Sequence, residues 1–491
     1  MRKNSKRSVL IFLLIVVSLC LRLYTIHDTT EFLGDQGRDG LAIFEAIEQR
    51  TLPVAGPTVG AGQYTGPLYY YLIAPAFVLF GFNPVVPGVA MCILSVAAIL
   101  LFLYVSSSVF GFQVAYIVSS LMACSPLLIM QDRRLWNPTP IPFFVVLLIT
   151  SLFLVGKKKK YWGFLTMAVS AAALLQLHYV NAISLIPAAI VCVGIVIYQT
   201  KKDKNNAIWL WIVGAVVLGS ALVYPFLAYE AHHGFIDITG SFATITYGEE
   251  QVFSKRAYVM NVIEIVASLW KYVIALENKG LLLGIACVVL LVNLFKRKLE
   301  SLVFVLWFCF GVCVLAFYKD TIQPQYWYQF IPVVFFLLVG VLSSVHKRIV
   351  IVTGIGIVVI SLYVSWSLFH PYIVKDPDLP RITAITEKIA VLTDGQPFAF
   401  TVMNSRSFND LHIRYFFKLY RILSVSIDDT TNNRLFIICE NACPETPPAG
   451  KLSIMCSTEI CPLDKPTVSF DEWRYEKTER VGNSALFLYT R

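Results

Sequence analysis

The sequence predicts an α-helical polytopic membrane protein with a small α/β domain at its C-terminal end. Three observations predict it. The 491-residue chain is 57% hydrophobic and only 14% charged, with a mean hydropathy of +0.68, which excludes the water-soluble globular classes. Apolar runs long enough to cross a bilayer, about 20 residues each, recur from Ser8 to about position 369. Beyond that point polar helical patterns alternate with short strand-like runs.

The first apolar run, Ser8 to Ile26, follows a basic start of Arg2, Lys3, Lys6 and Arg7. That start resembles a signal-peptide n-region, but the run is long and has no small-residue cleavage site, so an uncleaved anchor is expected. The net charge of +9 resides in short clusters between apolar runs: Lys157 to Lys160, Lys201-Lys202-Lys204, Lys296-Arg297-Lys298 and Lys347-Arg348. This pattern records topology and not nucleic-acid binding, because basic loops stay on the cytoplasmic side. Spans are expected over roughly 8–27, 84–107, 112–130, 139–155, 161–178, 181–198, 207–229, 280–295, 301–318, 326–344 and 348–369, about eleven transmembrane helices. With a cytoplasmic N-terminus, alternation puts every basic cluster inside. Two further apolar segments must then be non-spanning: Pro67 to Phe80 is short, and Val259 to Leu276 carries Asn261, Glu264, Ser268 and Lys271 at the spacing of an amphipathic interfacial helix.

The resulting organisation is a multi-pass domain over 1–371, with outer loops at 28–83 and 230–279, and an extracytoplasmic α/β domain over 372–491. In that tail, helical patterns around 379–393 and 408–419 alternate with strand-like Phe398 to Met403, Leu435 to Cys439 and Ala485 to Tyr489. Of 11 cysteines, Cys20, Cys92, Cys124, Cys192, Cys287, Cys309 and Cys313 fall in expected spans, as packing residues. Cys439, Cys443, Cys456 and Cys461 cluster in the outer domain, where an oxidising compartment favours two disulfides over a metal site, with the pairing open.

The chemistry-bearing residues concentrate on the outer side. Gly34-Asp35-Gln36-Gly37-Arg38-Asp39-Gly40 opens an amphipathic helix with Leu41, Phe44 and Ile47 on one side. Asp35 and Asp39, four apart, share a face of it. Asp35 reads either as a simple N-cap or as a carboxylate desolvated beside the bilayer, whose raised pKa suits a general base. Gln131-Asp132-Arg133-Arg134-Leu135-Trp136-Asn137-Pro138 breaks the positive-inside tendency, so Arg133 and Arg134 either grip a phosphate or pair with loop acids and headgroups. Trp136 also suits an aromatic belt. Gln176, His178 and Tyr179 lie at the outer end of one span, where a lone histidine serves as a hydrogen-bonded structural residue or as a site residue. The loop from Lys319 through Tyr326 to Tyr328 offers a phosphate-binding lysine and stacking aromatics, or another belt. His232, His233, Glu249 and Glu250 match no ligand spacing.

The acidic motif after the first span, Gly66-Pro67-Leu68-Tyr69-Tyr70-Tyr71, and Arg134-x-Trp136-Asn137-Pro138 in the next outer loop together resemble glycosyltransferase family 39, the protein O-mannosyltransferase and aminoarabinose transferase superfamily. The likeness covers roughly residues 8–370. It implies the class C membrane glycosyltransferase fold in a plasma (inner) membrane. It also implies transfer of a sugar from a polyprenyl-phosphate donor to a lipid, glycan or protein acceptor on the outer side, without a nucleotide sugar. By that resemblance Asp35 serves the acceptor nucleophile or its alignment, and Arg134 faces the donor phosphate. Arg133 and Lys319 are further phosphate candidates, and Arg38, Tyr70, Trp136, Asn137, His178, Tyr179 and Tyr326 are substrate-site candidates. Many relatives have adjacent acids in the first motif. Here Gln36 follows Asp35, so Asp39 or another group fills any second acidic role. A base opposite the departing phosphate implies inversion at the anomeric carbon. Metal dependence stays open: a first-loop acid with His178 or His232 leaves room for a divalent ion, and no cofactor is otherwise assigned. A lipid or glycan transporter is the rival from another class, weakened by spans whose interiors lack Asp, Glu, Lys and Arg apart from Arg22 near the end of the first. An inactive scaffold subunit of an envelope glycan system is the third reading.

Overall fold

The computed structural model describes residues 2–59, 63–203, 207–240, 254–296, 298–318, 322–346, 349–363, 372–453, 467–469 and 472–491, apart from positions 350, 351, 353, 357, 361, 373, 375, 428 and 430. The chain divides into two compact units. The first comprises 1–24, 54–72 and 89–371, and the second 25–53, 73–88 and 372–491.

The first unit is a bundle of apolar helices. Among the described residues, Val86–Phe110, Tyr179–Lys201, Ala207–His232 and Pro324–Leu342 have the length and composition to cross a membrane. Ile141–Gly156, Gly163–Leu177, Lys279–Phe295 and Leu299–Leu315 are shorter apolar helices within 2–3 residues of the expected spans. The segment expected as one span over 112–130 is instead a bent pair, Phe112–Cys124 and Pro126–Asp132, turned by 62°. Pro126 has no N–H to continue the helical ladder. Ser125 stabilises the break, since its Oγ accepts from Leu128 N (3.5 Å) and donates to the Tyr272 carbonyl (2.6 Å). The segment expected at 348–369 falls largely outside the described residues.

Because lipid is as apolar as the helices, packing and interhelical hydrogen bonds hold this unit together. Ser151 and Thr166 bond across one helix pair at 2.7 Å. Asn293 Nδ2 reaches the Leu337 carbonyl at 3.0 Å, and Phe304 stacks on Phe336 at 4.6 Å. Arg22 is fully buried and paired with Asp132 at 2.8 Å. Its remaining donors reach Ser95 and the carbonyls of Ser18, Met122 and Ala123. Helix Lys255–Lys271 buries Ile265, Ala267, Leu269 and Trp270, while Glu264 pairs with Lys279 at 2.6 Å.

The second unit contains the α/β domain. Its sheet runs in the order Ala399–Met403, Arg434–Cys439, Ser484–Thr490, Arg474–Val481. The first pair is parallel, with helix Leu411–Leu419 between its strands in sequence, and the others are antiparallel. The two inner strands are apolar at nearly every position, as expected of strands covered on both faces. Leu435, Ile437, Phe487, Tyr489 and Trp473 form the core of one face. Cys439 and Cys443 are disulfide-bonded, and Cys456 and Cys461 lie outside the described residues.

Candidate functional site

The acidic motif forms the start of helix Gly34–Glu48. Asp35 is not its N-cap. That position belongs to Leu33, whose N–H donates to Gln36 Oε1 at 2.8 Å. The glutamine that departs from the adjacent-acid pattern therefore satisfies one of the orphan donors of the helix start. Asp35 sits in the first turn, where the helix dipole favours a carboxylate by about 0.3–1 kcal/mol.

Arg38 binds both acids: Nη1 lies 2.9 Å from Asp35 Oδ1 and Nη2 lies 2.9 Å from Asp39 Oδ1. The Asp39 side chain is fully buried, whereas that of Asp35 keeps 28% of its surface exposed. Burial raises the Asp35 pKa above the ordinary carboxylate value; Arg38 opposes the shift and Glu31 adds to it. The result is a carboxyl more basic than usual that still meets solvent, as a general base requires.

Glycine decides which way this face points. At about 100° per residue, Gly34, Gly37 and Gly40 form one stripe, Asp35 and Asp39 lie roughly opposite, and Arg38 stands at the flank between them. A Cβ at Gly34 would overlap Asn409, one at Gly37 the backbone of Leu411 and His412, and one at Gly40 the Tyr415 ring. The helix thus rests on helix Leu411–Leu419 by its glycines. The apolar face expected from Leu41, Phe44 and Ile47 needs correction: Ile43 is buried and Ile47 is 50% exposed, while Phe44 stacks on Phe82 at 3.6 Å. Sequence periodicity missed the contact because glycine carries no hydrophobic signal.

The remaining candidates belong to the first unit. Arg133 is buried and donates to the Tyr24 carbonyl at 2.9 Å. Arg134 is half-buried, lies over the Trp136 ring at 5.6 Å and hydrogen-bonds the Tyr328 phenol. Its carbonyl accepts from Thr139 Oγ1 at 2.9 Å, which fixes the turn that carries it. Asn137 is a structural tie, donating to the Leu177 carbonyl at 2.8 Å. His178 is buried, and its Nδ1 accepts from Val180 N at 3.3 Å. It lies 4.7 Å from the Tyr179 ring and 5.3 Å from that of Tyr326. Tyr326 in turn bonds Tyr179 and, at 3.3 Å, the Tyr318 hydroxyl. His178 and Tyr179, named together from sequence, and Tyr326, from a distant loop, therefore form one polar aromatic cluster, and Tyr318 joins it. Gln329, which sequence reasoning missed, secures this cluster: Nε2 donates to the Val180 carbonyl (3.1 Å) and Oε1 accepts from Ser184 N (3.1 Å). Tyr70 is buried beside Tyr69. Lys319 lies outside the described residues. Among the described residues no group of three or more His, Cys, Asp or Glu is arranged to hold a metal ion.

Two solved structures are similar to the chain over most of its length. ArnT from Cupriavidus metallidurans in the apo state gives a TM-score of 0.59 at 12% identity, over 90% of this chain and 94% of that one. ArnT from Cupriavidus metallidurans bound to undecaprenyl phosphate gives 0.58 at 12% identity, over 89% and 93%. The chain has the class C glycosyltransferase fold that the sequence led us to expect. No family model matches it, and no curated protein matches its sequence.

Proposed function

We propose that this protein is a membrane glycosyltransferase that moves a sugar from a polyprenyl-phosphate donor to an acceptor at the outer face of a plasma (inner) membrane. In this proposal the N-terminus is cytoplasmic and 372–491 lies outside. The observation that carries it is the acidic helix: a solvent-reaching Asp35 with a raised pKa, bridged by Arg38 to a buried Asp39. The fold it shares with a protein seen bound to undecaprenyl phosphate supports the choice of donor class.

The chemistry balances as a single displacement. Asp35 takes the proton of the acceptor hydroxyl or amine as its lone pair attacks the anomeric carbon. The bond from that carbon to the phosphate oxygen breaks, and polyprenyl phosphate leaves with the electron pair. Attack opposite the leaving group inverts the anomeric centre. Arg134, held against Trp136 and Tyr328, stabilises the departing phosphate, with Lys319 as a second cation. Arg133 is buried against the Tyr24 carbonyl while Arg134 is only half-buried, which favours Arg134 of the pair. His178, Tyr179 and Tyr326 offer hydrogen-bonding and stacking surface for sugar.

The test is incubation of the purified chain with undecaprenyl-phosphate sugars and candidate acceptors, read by mass spectrometry. Formation of a new glycoside with release of undecaprenyl phosphate is expected. Asp35→Asn should lower turnover by about 10²–10⁴-fold, the range for a general base, with folding intact. Movement of labelled donor across vesicles without a new glycoside would instead make the protein a carrier.

A further inference from the structure

The end of strand Arg434–Cys439 delivers Glu440 into the interior of the C-terminal domain, where its side chain is fully buried. Four groups from three other segments converge on that carboxylate. Arg381, from helix Asp378–Thr393, forms an ion pair with it. Ser405 Oγ donates at 2.7 Å and Arg406 N at 3.1 Å, both from the loop after strand Ala399–Met403. His412 Nε2, in the first turn of helix Leu411–Leu419, lies 3.1 Å from both oxygens. Burial alone would raise the Glu440 pKa. The hydrogen bond and charge of His412, with Arg381 and Ser405, more than offset it and hold the carboxyl well below the usual range.

Each of those three segments also touches the acidic helix or the residues leading into it. The other arm of Arg381 holds Asp378 at 2.9 Å, and Asp378 Oδ2 accepts from Phe32 N at 3.3 Å. In the loop, Ser407 Oγ accepts from Gly34 N at 2.9 Å, and its N–H is tied to Ser405 Oγ at 3.0 Å. The first turn of helix Leu411–Leu419 is the floor under Gly37. One buried carboxylate therefore gathers the three segments that meet Phe32, Gly34 and Gly37.

We propose that Glu440, with Ser407 and Gly37, is a positioning device that sets the rotation and register of helix Gly34–Glu48 and thereby aims Asp35. The C-terminal domain is then part of the catalytic apparatus without touching substrate. The catalytic consequence rests on the function proposed above, while the structural consequence does not.

The experiment uses the full chain in nanodiscs and reads two quantities. In Glu440→Gln, hydrogen exchange of the amides at 34–40 should accelerate at least tenfold, while helix Lys255–Lys271 is unchanged. In the release of undecaprenyl phosphate from an undecaprenyl-phosphate hexose, Ser407→Ala and Gly37→Ala should lower kcat three- to tenfold or more with KM for the donor within twofold. Ser407→Thr, which keeps the acceptor hydroxyl, should restore the rate. Unchanged exchange in Glu440→Gln, or Ser407→Thr as impaired as Ser407→Ala, would overturn the positioning role. If instead the wild-type chain releases no undecaprenyl phosphate or Asp35→Asn is fully active, the glycosyltransferase function fails, and the exchange measurement still decides the seating of the helix.

Discussion

Two arginines in this chain hold acids in opposite ways. Arg22 is fully buried and reaches Asp132, 110 positions away, with its other donors bound to Ser95 and helix carbonyls. Arg38 binds acids one and three positions away on its own helix, and it and Asp35 remain partly exposed. A buried arginine whose donors are all engaged by an acid and helix carbonyls braces the helices around it. A partly exposed pair at the start of a helix can exchange partners when a substrate arrives. Pairing with an acid is common to both, and burial sets what each can do.

The comparison can be broken most directly at the buried pair. Arg22→Leu leaves Asp132 without its counter-charge and should cost about 3–5 kcal/mol of stability, seen as a large loss of folded protein and a lower Tm in detergent. Arg22→Leu with Asp132→Leu should recover much of that loss. A single variant as stable as the wild type would remove the bracing role.

A smaller effect is expected at Arg134. Arg134→Ala should weaken binding of undecaprenyl phosphate by roughly 10- to 100-fold, the loss of a charge-assisted hydrogen bond of about 1.5–3 kcal/mol, with acceptor use unchanged. Equal weakening of both substrates would count against a phosphate contact.

The smallest effect should come from Arg38, and it sharpens the contrast by its sign. Asp35 works as a base only when ionised, so the rate falls as pH drops through its pKa. Burial raises that pKa and Arg38 opposes the rise. Arg38→Gln should therefore move the acidic limb of the kcat/KM profile to higher pH. A limb that stays in place or moves to lower pH would show that Asp35 is not the titrating group.

Much of this was legible locally. The polar helices and apolar strands of the C-terminal domain stand where their periodicity placed them, at Asp378–Thr393, Leu411–Leu419, Ala399–Met403, Arg434–Cys439 and Ser484–Thr490. Asp35 and Asp39 share a helix face because four residues make about one turn. The kink at Pro126 was overlooked because hydropathy does not register a missing N–H. The glycine stripe was overlooked because a contact made by absent side chains has no signature until its partner is known.

The sequence by itself determined a greasy helical scaffold, an α/β tail and an acidic helix face, since these follow from short-range periodicity and from what a bilayer tolerates. Only the tertiary structure decided that Arg22 belongs to Asp132, that Tyr326 joins His178 and Tyr179, and that Glu440 fastens the floor beneath Gly37. Each of those joins residues from separate segments. Burial makes an unpaired charge too expensive to leave alone, and the folded backbone selects the partner that satisfies it.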